Sequence, residues 1–184
     1  MVTVKTSQEI ELMRVANLIV RDTLNKVRDE IKAGITTAQV DKIAYDYIIS
    51  RGATPSFLGY EGFPASACVS VNEQVVHGIP SNKRKLQNGD IVSVDIGAIY
   101  MGYHGDAART FEIGDVGEEK HRLVQVTEQS FFEGIKALKD GVRLGDLGWA
   151  IQSYVESNGY SVVRALVGHG IGTQMHEDPS VPNY

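Results

Sequence analysis

The 184 residues contain one cysteine, Cys68. No disulfide can form within the chain, so a reducing compartment, the cytoplasm, is the expected setting. Cys68 sits in the apolar run Ala67-Cys68-Val69, and no histidine follows it before His77. A buried strand residue is therefore expected here rather than a nucleophile. No apolar run approaches the roughly 18 residues of a membrane span, and residues 1–11 lack the apolar stretch of a signal peptide. Positive charge is also short: 18 Lys and Arg stand against 23 Asp and Glu, for a net charge of -5. Without a basic stripe, direct nucleic-acid binding is not expected. The cluster Lys83-Arg84-Lys85 reads as a solvated turn. Gly168-His169-Gly170-Ile171-Gly172 is not followed by the Lys-Ser/Thr pair of a phosphate loop, and Ser66 and Ser70 lack the setting of a nucleophile elbow.

What is present suits a folded domain. Apolar residues make up 42% and charged residues 22%, the balance of a globular protein with one shared core. One domain is expected over 1–184, with halves at about 1–116 and 117–184. Helical spacing of Met13, Ala16, Val20, Leu24 and Val27 predicts a first helix over 7–31. Thr36 or Thr37 caps a second helix that ends at Gly52. Two more helices are expected over 118–138 and 144–157. Strands are expected at 67–71, 91–99, 103–113, 162–163 and 165–167, with a strand-like lead at 75–76.

The helices repeat. Gly34 to Gly52 lies over Gly141 to Gly159 at a constant offset, with Val40 on Leu147, Ala44 on Ile151 and Tyr47 on Tyr154. A duplicated helix–helix–strand unit predicts an α+β fold whose halves are related by a pseudo-twofold axis. The strand pair at 91–113 has no counterpart within the 184 residues.

Chemistry concentrates on that strand pair. A turn at Ile99-Tyr100-Met101-Gly102, centred between Tyr100 and Met101, places Asp95 directly opposite Asp106. Like charges facing each other on a strand pair repel. The two carboxylates read either as solvent-facing residues of an edge hairpin or as a pair with a cation between them. The frame of Val92, Val94, Ile96 and Ile99 favours the pair, whose oxygens suit Mn, Fe, Co, Zn or Mg. His169, between two glycines, reads either as a structural histidine, the commoner case for a lone one, or as a nitrogen ligand. His176 follows after an odd interval, which in an extended segment would put the rings on opposite faces and in a looped one would not. His77, before Gly78 and Pro80, reads either as a cap or as a catalytic hydrogen-bonding group. His104 shares the Asp106 face, as a ligand or a supporting group. Phe57, Tyr60 and Phe63 form either a packed loop or an apolar specificity pocket.

Taken together, Gly59-Tyr60-Glu61-Gly62-Phe63-Pro64, Val71-Asn72-Glu73-Gln74-Val75-Val76-His77-Gly78-Ile79-Pro80, Asp95 with His104-Gly105-Asp106, Gly168-His169-Gly170-Ile171-Gly172 and His176-Glu177-Asp178-Pro179 resemble the bacterial type I methionine aminopeptidases in order and spacing. The resemblance runs from about residue 3 to the end. It implies the pita-bread fold and removal of the initiator methionine from nascent chains by metal-activated water. It implies Asp95, Asp106 and His169 as metal ligands, and His77 and His176 as catalytic groups at the scissile amide and carbonyl. It implies Tyr60, Phe63, Cys68 and Met175, with Phe57, as the methionine pocket. Two divalent ions per complete site (Co, Mn, Fe, Zn or Ni), peptide or nascent-chain N-termini as substrates, the ribosome as a candidate partner, a monomeric state and no membrane association follow from the same resemblance.

The family has two further ligands, both glutamates, one of which also acts as general base. They are expected near position 202 and beyond it, outside these 184 residues. Weak metal binding and weak or no activity are therefore expected of this chain. The alternatives are a non-catalytic pita-bread binding module and a related proline-specific metallopeptidase.

Overall fold

The computed structural model describes residues 1–184, and the backbone separates into two compact units. The first comprises Val4–Gly117 and Gly172–Met175; the second comprises Met1–Thr3, Glu118–Ile171 and His176–Tyr184.

The first unit begins with α1 (Ser7–Glu30). Its cap is Thr6: the Thr6 hydroxyl accepts from the Glu9 N–H at 3.3 Å and the Glu9 carboxylate accepts from the Thr6 N–H at 2.7 Å. Such a reciprocal box satisfies two helix-end donors and contributes about 1 kcal/mol. Ala16, Ile19, Val20, Leu24 and Val27, at helical spacing, form the buried stripe. Helix α2 (Thr37–Ser50) repeats the device with Thr36 and Gln39, and buries Val40, Ala44 and Ile48.

These stripes cover one face of an antiparallel sheet. Strand β3 (Ile91–Tyr100) is central and pairs with β1 (Thr54–Pro55), β2 (Ala67–Val71) and β4 (Tyr103–Glu112). Alternation sends Val92, Val94, Ile96 and Ala98 into the core with the helix stripes. The contact with α1 is close: a Cβ on Gly105 would lie 2.6 Å from backbone atoms of Ala16 and Asn17. Asp95, Gly97, Asp106 and Cys68 belong to the other face, because Cys68 pairs with Asp95 and Gly97 with Asp106.

The hairpin register differs from the sequence expectation. Met101 and Gly102 alone form the turn, with φ of 48° and 85°, the two left-handed residues of a tight two-residue loop. Tyr100 therefore pairs with Tyr103, Asp95 with Ala108 and Asp106 with Gly97. The two aspartates are diagonal neighbours on one face, not a direct pair. Carboxylate arms bridge that diagonal where a direct pair would crowd.

The second unit carries α3 (Gly117–Ala137), α4 (Leu144–Ser157) and a small hairpin of β5 (Gly168–Gly170) and β6 (Glu177–Val181). Helix α4 begins and ends 107 residues after α2, and Gly52 and Gly159, which follow the two helices, share positive φ (70° and 85°). The repeat is thus a repeat of local structure. The expected strands at 162–163 and 165–167 are absent, as is strand structure at 75–76; β-branched residues extend the chain without making a strand where no partner pairs. Strand β6 went unread because Glu177-Asp178-Pro179-Ser180-Val181 has no alternating apolar pattern and contains a proline, tolerated at a sheet edge.

Candidate metal centre

Three strands meet around Asp95. On one side its Cα partner is Cys68 of β2; on the other, Asp106 of β4 lies on the diagonal. The two carboxylates lie close enough for each to perturb the titration of the other. Burial raises the pKa of Asp95 well above the ordinary carboxylate range, and the charge and hydrogen bond of Asp106 raise it further; the nearby His77 opposes this. Burial also raises Asp106. A buried pair of carboxylates is an oxygen donor set that a cation would stabilise.

Backbone contacts hold His77 near this pair. The Gly78 N–H donates to the Ser70 hydroxyl at 3.0 Å, and the Gly78 carbonyl accepts from the Val69 N–H at 2.8 Å. A Cβ on Gly78 would lie 2.4 Å from the Val69 carbonyl oxygen, so only glycine fits against β2. His77 is exposed and takes a left-handed φ of 58°, a conformation that needs such pinning.

The apolar residues gather around Cys68 of β2. Phe57, Cys68 and Met175 are buried in one cluster, with Tyr60 and Phe63 packed against it. Cys68 is inert: burial first, then the charges of Asp95, Asp106 and Asp41, push its thiol up to about 12. Sequence reasoning missed two supports of this region, Asp41 and Gly97, and left a third, His104, open as a ligand or a supporting group. The Asp41 carboxylate, on α2, accepts from the Ser66 and Ala67 N–H groups at 2.8 and 2.9 Å and so anchors the start of β2. Gly97 makes room: a Cβ there would lie 2.6 Å from the Phe57 ring and 2.7 Å from Ser56. An isolated glycine inside an apolar strand was the available signal for that close approach. His104 is buried, with its Nδ1 at 3.0 Å from the Ser56 hydroxyl.

In the second unit the His169 and His176 rings stand 4.2 Å apart, centroid to centroid, at 55°. The chain loops between β5 and β6, with a bulge after His169, and so the odd interval does not separate the rings. His169 Nδ1 lies 2.9 Å from the Gly170 carbonyl oxygen. A carbonyl only accepts, so Nδ1 carries a proton, which leaves Nε2 as the ring atom a metal would take. The structure thus assembles two pairs, Asp95 with Asp106 and His169 with His176, each within its own unit, and no group of three or more His, Cys, Asp or Glu able to hold an ion. The oxygen donors and Nε2 of His169 fit a divalent cation.

Residues 11–184 match the model of metallopeptidase family M24. The chain is 56% identical over 184 residues to a methionine aminopeptidase of Clostridium acetobutylicum, covering all of this chain and 74% of that one. Among solved structures it superposes on a methionine aminopeptidase from Thermotoga maritima with a TM-score of 0.98 at 44% identity, covering 100% of this chain and 74% of the other. A prolidase from Pyrococcus furiosus superposes with a TM-score of 0.86 at 25% identity over 98% of this chain and 52% of its own.

Proposed function

The chain belongs to metallopeptidase family M24, and on that premise we propose that it removes N-terminal methionine from peptides and nascent proteins. One observation carries the substrate assignment: Cys68, in the apolar cluster, is the direct strand partner of Asp95. An apolar side chain seated among Phe57, Tyr60, Phe63, Cys68 and Met175 therefore brings its own backbone to the carboxylate pair. Soft, polarisable surroundings of this kind suit an unbranched thioether.

Asp95, Asp106 and His169 are the residues that would hold metal, two divalent ions in a complete site, with Mn, Fe, Co, Zn and Ni all compatible with oxygen and imidazole donors. When bound, divalent metal supplies a nucleophilic water at neutral pH and polarises the scissile carbonyl. His77 donates a hydrogen bond at the scissile amide, and His176 stabilises the negative charge that develops on the carbonyl oxygen. No helix is long and apolar enough to cross a membrane. The proposed setting is the cytoplasm, acting as a monomer, with the ribosome as a candidate partner.

The test compares Met-Ala-Ser, Leu-Ala-Ser and Ala-Pro as substrates with Mn or Co present. The 184 residues are used alone and fused to the last quarter of the Clostridium relative. Preferential release of methionine is expected. Cleavage of Ala-Pro without cleavage of Met-Ala-Ser would transfer the chain to the proline-specific branch.

A further inference from the structure

We propose that His104 is a positioning residue that fastens both walls of the apolar cluster and thereby sets its grip on a methionyl side chain; the second half rests on the function proposed above. His104 lies on β4, two residues before Asp106 and on the same face. It is 9% exposed, and its ring partner Ser56 is 6% exposed.

Each wall attaches to His104 by a different group. The ring Nδ1 meets the Ser56 hydroxyl at 3.0 Å, and Ser56 immediately precedes Phe57, whose ring lies against Gly97. The His104 N–H donates to the Gly172 carbonyl at 2.8 Å. Gly172 opens the four-residue stretch Gly172–Met175, which belongs to the first unit and delivers Met175 to the cluster. The Phe57 wall and the Met175 wall are thus tied to one residue, and Cys68 is buried in the same cluster. The backbone tie survives any substitution at His104; the ring tie does not. Removing one partner of a buried pair leaves the other unsatisfied, so losing the ring should loosen the Phe57 wall.

Cys68 reports the loosening directly, because it is the only cysteine and is 5% exposed. The experiment measures its alkylation by N-ethylmaleimide, with and without L-methionine, in the wild-type chain and in His104→Ala, Ser56→Ala, the double variant and His104→Asn. The alanine variants are expected to label about three- to ten-fold faster, the range for one hydrogen bond. The double variant should be no faster than the faster single, because both singles break the same bond. Asn places a polar atom as far from Cβ as Nδ1 and should return labelling towards the wild-type rate. L-Methionine should slow wild-type labelling, and several-fold more should be needed in His104→Ala.

Wild-type labelling rates in folded alanine variants would overturn the clamp, as would additive effects in the double variant. Should His104→Ala unfold, Ser56→Ala, which deletes a single hydroxyl, carries the same comparison. Failure of methionine to protect the wild-type chain would overturn the methionyl half and the reading beneath it, while the labelling rates alone decide the clamp.

Discussion

Asp95 and Asp106 carry a conflict that a metal resolves. Without metal, burial and mutual repulsion keep a proton on the pair. The folded-state pKa of Asp95 is raised, so the native state binds more protons than the unfolded one just above the ordinary carboxylate range. The stability of the metal-free chain should therefore fall as pH rises from that range through the raised Asp95 value. Asp95→Asn should flatten this slope and weaken Mn binding about ten-fold or more. Urea unfolding between about pH 5 and 8, with titration calorimetry, measures both. A steeper slope in the variant would contradict the assignment. That the two residues are a pair was legible from their apolar framing; that they meet on a diagonal was not, because register depends on which two residues make the turn.

At the level of elements, two glycines on paired strands make opposite predictions. A methyl group at Gly105 meets backbone of α1, which cannot step aside locally. Gly105→Ala is expected to cost about 1–3 kcal/mol, seen as a lowered Tm. A methyl group at Gly97 meets the side chains of Phe57 and Ser56, so Gly97→Ala should disturb methionine binding more than it lowers Tm. The repeat supplies a third prediction. Thr36 caps α2 through its hydroxyl, but the residue 107 positions later is Arg143, which has no acceptor to offer. There the Asp146 carboxylate accepts from the Arg143 N–H at 3.0 Å, which is half of a capping box. Arg143→Thr should complete it and stabilise α4 by about 0.5–1 kcal/mol, raising Tm. The helix ends were readable because caps and apolar spacing are local. β6 was not, because a proline-containing edge strand exists only through its partner.

For the whole molecule, the chain spans 74% of the length of the two methionine aminopeptidases named above. The resemblance implies two glutamate ligands that these 184 residues do not include. A polypeptide limited to them is expected to bind Mn or Co weakly and to hydrolyse Met-Ala-Ser far more slowly than the fusion to a relative's last quarter. Equal turnover by the two would show that the residues present suffice. A chain that binds peptides beginning with methionine and never hydrolyses them, fused or not, would be a binding module.

Residue order alone made the available chemistry readable: the donor residues, the pairing of the two aspartates on one hairpin, the four helices and their repeat, and the family. Those features are written in local order, through residue type, spacing and caps. Only the tertiary structure decided which diagonal joins Asp95 to Asp106, that a loop brings the His169 and His176 rings together, and that Phe57, Cys68 and Met175 form one cluster. It also supplied Asp41, Gly97 and the contact of His104 with Ser56, because these roles lie in what each residue touches across the fold. Contacts between residues distant in sequence depend on turns, register and close backbone approach, which residue order constrains and packing selects.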